Sequence, residues 1–282
     1  MAEQWEAFPV ITRKKWLIAT VILCAIPLVY PFVLPIPVSG RTQAFYDQLA
    51  ALPPGSVLLW GDSAADVSTY VNAREFWWSL WDTICMKEIK VIFTPWNAGG
   101  VLCAEQATAE RDIEGRFGYE YGIDYVIMPY LTGQEMAMAS IAGVDGFLTG
   151  YSTDNRGNPV GTLPIFQEVR DLSDVDLILI QYSATEYGPM MIRQWCIKWD
   201  IPSIVIGQFY AVGEFYGTYV FGNIDKMLAM AEFEYLVGIP GEEILKMTMR
   251  DLQSLLLLAM LFVGFGWYSV RRSRGGEESD TD

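Results

Sequence analysis

Residues 57–63 read Val-Leu-Leu-Trp-Gly-Asp-Ser, four consecutive apolar positions that run straight into a polar turn. A strand with one wet face alternates in polarity, whereas an unbroken apolar run suits a strand covered on both faces. The pattern recurs at Ile89–Phe93, Tyr125–Met128, Leu177–Ile180 and Ile204–Ile206. Longer helical stretches separate most of these runs, at Ala64–Lys87, Gly100–Tyr121, Gln134–Ala142 and Pro189–Trp199. Alternating strand and helix predicts an α/β fold, a mostly parallel, about five-stranded, doubly wound (Rossmann-like) sheet. A short amphipathic helix over Thr42–Leu52 precedes it, and Asp225–Val237 reads as a last helix. Gly143–Leu163, rich in Gly, Asp, Asn and Thr, reads as a long excursion.

Two apolar runs bracket this domain. No charged side chain occurs from Trp16 to Gly40, nor from Leu252 to Val270. A helix crosses a bilayer core with roughly 20 apolar residues, and both runs reach that length. The expected organisation is a polar lead at 1–15, a transmembrane helix at 16–37, an α/β domain at 42–241, a second transmembrane helix at 252–270 and a disordered acidic tail at 271–282. Prolines 27, 31, 35 and 37 predict that the first helix frays into an extended exit. A cleaved signal peptide is the competing reading of the first run, which is long for that role. Arg13, Lys14, Lys15, Arg271, Arg272 and Arg274 lie beyond the runs, against Arg41, Lys246 and Arg250 between them. The positive-inside rule then puts both termini in the cytoplasm and the domain outside it.

Composition excludes several classes of chemistry. The chain of 282 residues has no histidine, which removes Ser-His-Asp and Cys-His catalysis and the histidine-based zinc and iron sites. Its four cysteines, at 24, 85, 103 and 196, form no C-x-x-C pair and read as buried free thiols. A net charge of −15 falls almost wholly on the middle of the chain. Such a surface repels phosphate backbones, so nucleic acid is not an expected partner.

In open parallel sheets, ligands collect at the carboxyl ends of the strands. Those ends carry Asp62, Ser63, Asn97, Gln134, Glu135 and Glu186, which the sheet as drawn brings to one rim as ligand-binding candidates. A carboxylate cluster from Asp62, Glu135 and Glu186 could hold Mg²⁺ or Ca²⁺, against the plainer reading of solvated acids in an acidic domain. Asn97-Ala98-Gly99-Gly100 ahead of a helix offers backbone N–H groups to an anion, or is simply a tight turn. Phe76, Trp77, Trp78 and Trp81, at helical spacing, read as packing. No cofactor motif is complete.

The block VLLWGDS resembles the opening block of the GDS-type (SGNH) hydrolases, whose serine is the nucleophile. The resemblance implies Asp62 and Ser63 as catalytic candidates, but the family's Asp-x-x-His block is missing and no histidine supplies the base. The competing role for either residue is to cap the next helix. More broadly, GIDYVIMPYLTGQE, TDNRGNPVGTLPIF, DLSDVDLILI and MLAMAEFEYLVG are similar to a family of uncharacterised prokaryotic membrane proteins with a Rossmann-like domain between membrane spans. That resemblance implies the architecture over about residues 57–238 and no activity. The expected function is a membrane-anchored, non-enzymatic subunit or scaffold that binds protein partners or self-assembles. The alternatives are a ligand- or cation-sensing domain using the strand-end rim and, third, a histidine-independent hydrolase.

Overall fold

Six strands, one more than expected, form a single parallel sheet: β1 (Val57–Asp62), β2 (Lys90–Pro95), β3 (Tyr125–Ile127), β4 (Leu177–Gln181), β5 (Ser203–Ile206) and β6 (Val220–Ile224). The computed structural model describes residues 36–238 except 65 and 226, together with 18, 21, 22, 25 and 248–262. The strand order is β3-β2-β1-β4-β5-β6, and every pairing is parallel. The chain therefore builds outward from β1 to β3, then returns to the centre and builds the other way from β4 to β6.

Consecutive residues of each strand serve opposite faces. Leu58, Trp60, Val91, Phe93, Leu177 and Leu179 point into one apolar layer. Helices α1 (Gly40–Ala51), α2 (Val67–Met86), α3 (Ala98–Arg111), α4 (Ile113–Phe117) and α10 (Met227–Val237) supply that layer. Leu59, Ile92, Val126, Ile178, Ile180 and Val205 point into the other. There they meet α5 (Gln134–Ile141), α6 (Gly146–Gly150), α7 (Ile165–Glu168) and α8 (Tyr187–Met191), which continues into a π-helical turn at Ile192–Ile197. A last short helix, α9 (Phe209–Val212), follows β5. Covering on both faces is why the strands are apolar without alternation.

The α2 aromatics Tyr70, Phe76, Trp77 and Trp81 are core, while Trp78 is half-buried beside Arg74. Trp60 of β1 lies 4.9 Å from Trp77 and 5.7 Å from Trp81, ring centre to ring centre. Phe76, Trp77 and Trp81 are fully buried. Gln134–Ala142 and Asp225–Val237 fold much as the apolar periodicity predicts. Gly100–Tyr121 instead breaks at Asp112, whose left-handed backbone (φ 51°) ends α3 while its carboxylate accepts the Gly115 N–H and starts α4.

The chain divides into two units, Ile36–Glu243 and the terminal segments Met1–Pro35 with Ile244–Asp282. In the terminal segments, residues 248–262 are helical. Among the described residues no helix is long and apolar enough to cross a membrane, so the flanking spans gain no support here. Most of 16–37, the second half of 252–270, the lead at 1–15 and the tail at 271–282 lie outside the described residues.

Candidate functional site at the switch point

The direction of chain progression reverses between β1 and β4, the place where open α/β sheets form their ligand crevice. Asp62 and Gln181 end these strands as register partners, so their side chains lie on the same face. Both are buried, at 0% and 3% exposure. Asp62 Oδ1 accepts the Ala64 N–H at 2.9 Å, and its main-chain carbonyl accepts the Trp96 N–H at 2.6 Å. The Gln181 Oε1 has no hydrogen-bond partner, a condition that costs a buried acceptor about 1–3 kcal/mol.

The N-terminus of α3 lies against Asp62. Asn97 caps it, its Oδ1 accepting the Gly100 N–H at 2.6 Å. A Cβ at Gly100 would sit 2.7 Å from Asp62 Oδ2 and 3.5 Å from Asn97 Oδ1, so only glycine lets the helix approach the carboxylate this closely. The positive end of the helix favours negative charge there. Beneath lies Cys103, whose thiol is pushed up to about 11 by burial first and then by Asp62 and Asp66. Ser63 is held by the strand, its N–H donating to the Gln181 carbonyl at 2.8 Å and its hydroxyl to the same oxygen at 3.3 Å.

Asp62, Ser63 and Asn97 are thus gathered, with Gln181 as a member that the candidate list lacked. Its signal was legible: a glutamine closing the run Leu-Ile-Leu-Ile. The other three candidates form a second group on the opposite face of the sheet, by α5 and α8. Gln134, with a left-handed backbone (φ 46°), reaches the Tyr187 hydroxyl at 3.4 Å. Glu186 is exposed just before α8, and its side chain caps nothing. Glu135 turns to the π-helical turn, accepting from Arg193 at 3.0 Å and Gln194 at 3.1 Å. The Gln194 bond first, then Arg193, hold its carboxyl below the ordinary range against the opposing effect of burial.

Among the described residues no three acidic or cysteine side chains are grouped to hold a metal ion. At the switch point the arrangement can accept hydrogen bonds from a ligand, and the Ser63 hydroxyl is engaged with the Gln181 carbonyl.

No family model matches the chain, and no curated protein matches it.

Proposed function

We propose that this protein is a membrane-anchored, non-enzymatic α/β subunit or scaffold, extracytoplasmic in its globular domain, that binds protein partners or copies of itself. The observation that carries the reading is the helical stretch 248–262. Leu257 and Phe262 are 61% and 74% exposed, and Leu255, Leu258 and Leu261 are exposed beside them. At 100° per residue these five side chains fall within an arc of about 160°, and Ala259 and Met260, exposed as well, carry the apolar surface round the rest of the helix. A helix apolar on nearly all sides requires apolar surroundings on those sides, and lipid supplies them. Ile18, Val21 and Ile22, equally exposed, repeat the pattern in the first apolar run.

Alkaline carbonate washing of membranes from expressing cells is the test. Retention in the pellet, with release by detergent and migration above monomer size, is expected. Extraction of the intact chain into the supernatant would refute the anchoring.

A second reading, a domain that senses a ligand or cation at the strand-end rim, is favoured by one specific observation, the unpartnered Gln181 Oε1 beside Asp62. Under it, Mg²⁺ or Ca²⁺ raises the melting temperature of the wild type and not of Asp62→Ala. A rise equal in both proteins removes the reading.

A further inference from the structure

Away from the switch point, beyond the carboxyl end of edge strand β6, a cavity of about 210 Å³ opens between the N-terminus of α1 and helix α10. Its lining carries charge of both signs, Arg41 against Asp225 and Glu232, beside Asn223, Leu228 and Ala229. Asn223 is 1% exposed. Its Nδ2 faces the neighbouring strand, donating to the carbonyls of Val205 at 3.3 Å and Gly207 at 3.1 Å. The Oδ1, on the other side of the same amide, has no hydrogen-bond partner.

The charged groups are positioned but not mutually neutralised. Asp225 Oδ1 accepts the Phe209 N–H at 3.3 Å. Glu232 Oε2 accepts from the Ser39 N–H at 3.0 Å and the Thr42 hydroxyl at 2.6 Å, which fixes the carboxylate at the cavity wall. The Arg41 guanidinium lies over the Phe209 ring, 3.8 Å from its centre, and forms no ion pair among the described residues.

We infer that this cavity binds a small zwitterion of amino-acid size. Its ammonium group, with three N–H donors, matches the three oxygen-bearing groups Asn223, Asp225 and Glu232. Its carboxylate meets the guanidinium of Arg41, and a short aliphatic side chain lies against Leu228 and Ala229. Two alternatives fit worse. A hard divalent cation seeks about six to eight oxygen ligands and would sit beside a fixed guanidinium. A lone anion would face two carboxylates against one positive charge.

Thermal unfolding of the full chain in detergent tests this, with L-alanine, ethylamine, acetate and MgCl₂ titrated separately. L-Alanine is expected to raise the melting temperature saturably, by about 3–5 °C at ten times its Kd. Ethylamine should do so more weakly and acetate not at all, and MgCl₂ should give no shift that Asp225→Asn removes. Arg41→Gln, a change at an exposed side chain, should weaken L-alanine at least tenfold and leave ethylamine unchanged, whereas Asp225→Asn should weaken both. Calorimetric titration of the wild type with L-alanine gives the same Kd independently of unfolding. Absence of any saturable response to L-alanine overturns the inference, as does a MgCl₂ response that Asp225→Asn abolishes or an unchanged L-alanine affinity in Arg41→Gln.

Discussion

Gly222 of β6 and Phe45 of α1 meet backbone to backbone, and a Cβ at position 222 would overlap the Phe45 N and Cα. Helix α1 is docked on the edge strand through this gap, with the Phe45 ring 5.6 Å from that of Phe233 on α10. Because backbone cannot swing aside as a flexible side chain does, Gly222→Ala is expected to cost about 3 kcal/mol, at the upper end for overpacking. Urea unfolding with a lowered midpoint and unchanged slope checks it.

Arg111 at the end of α3 clasps Asp82 of α2 with both arms of its guanidinium, the Nε–Oδ1 bond measuring 2.6 Å. The hydrogen bonds to Asp82 raise the Arg111 pKa above its ordinary value, against the opposing effect of burial. Asp82 is nearly buried, so removing its partner leaves a charge without compensation. Arg111→Met is expected to cost about 3 kcal/mol, and Arg111→Lys about half of that because the two-armed geometry is lost. The double variant Asp82→Leu/Arg111→Met should recover part of the loss. Chemical denaturation of all three measures it.

Burial pushes the thiols of Cys85 and Cys196 up to about 12 and that of Cys103 up to about 11. A thiol reagent at neutral pH should therefore leave all three unlabelled in the folded protein and label them on denaturation, measured in a Cys24→Ala background. The folded state holds these protons more tightly than the unfolded one. Stability is therefore intact below the ordinary thiol range and is lost as pH rises from that range through 11 and 12. Unfolding curves across the alkaline range, with and without Cys196→Ala, separate this contribution.

Glu135 behaves in the opposite sense. Its pKa is depressed in the folded state, so the stability it contributes is present above the ordinary carboxylate value and is lost as pH falls through the lower, folded value. Gln194→Leu is expected to raise the Glu135 pKa and move that acid limb upward. Carboxyl ¹³C shifts followed through a pH titration read it directly.

The five predicted strands were legible because each is apolar on consecutive positions, the mark of a strand covered on both faces. β6 was not, because Gly222 and Asn223 interrupt Val-Phe-Gly-Asn-Ile. Both interruptions have tertiary causes, the glycine admitting Phe45 and the asparagine binding two carbonyls of the β5 side. The break at Asp112 was equally hidden, since an aspartate in the left-handed region leaves no apolar gap. Of the rim, Asp62, Ser63 and Asn97 were placed by chain order alone. The Arg193 partner of Glu135 was not legible, because it lies 58 positions away, across from a helix that opens on the left-handed Gly133 and Gln134.

Placing β1 beside β4 has a consequence for how the molecule assembles. Each flank of three strands closes over short stretches of chain, but the central seam joins partners such as Val57 and Asp176, 119 positions apart. Until residues 177–181 emerge from the ribosome, the open side of β1 is an uncovered row of amides and carbonyls at the middle of the future sheet. Closure of that seam is the slow, long-range event of folding, and the interval before it is when the chain is most exposed to aggregation.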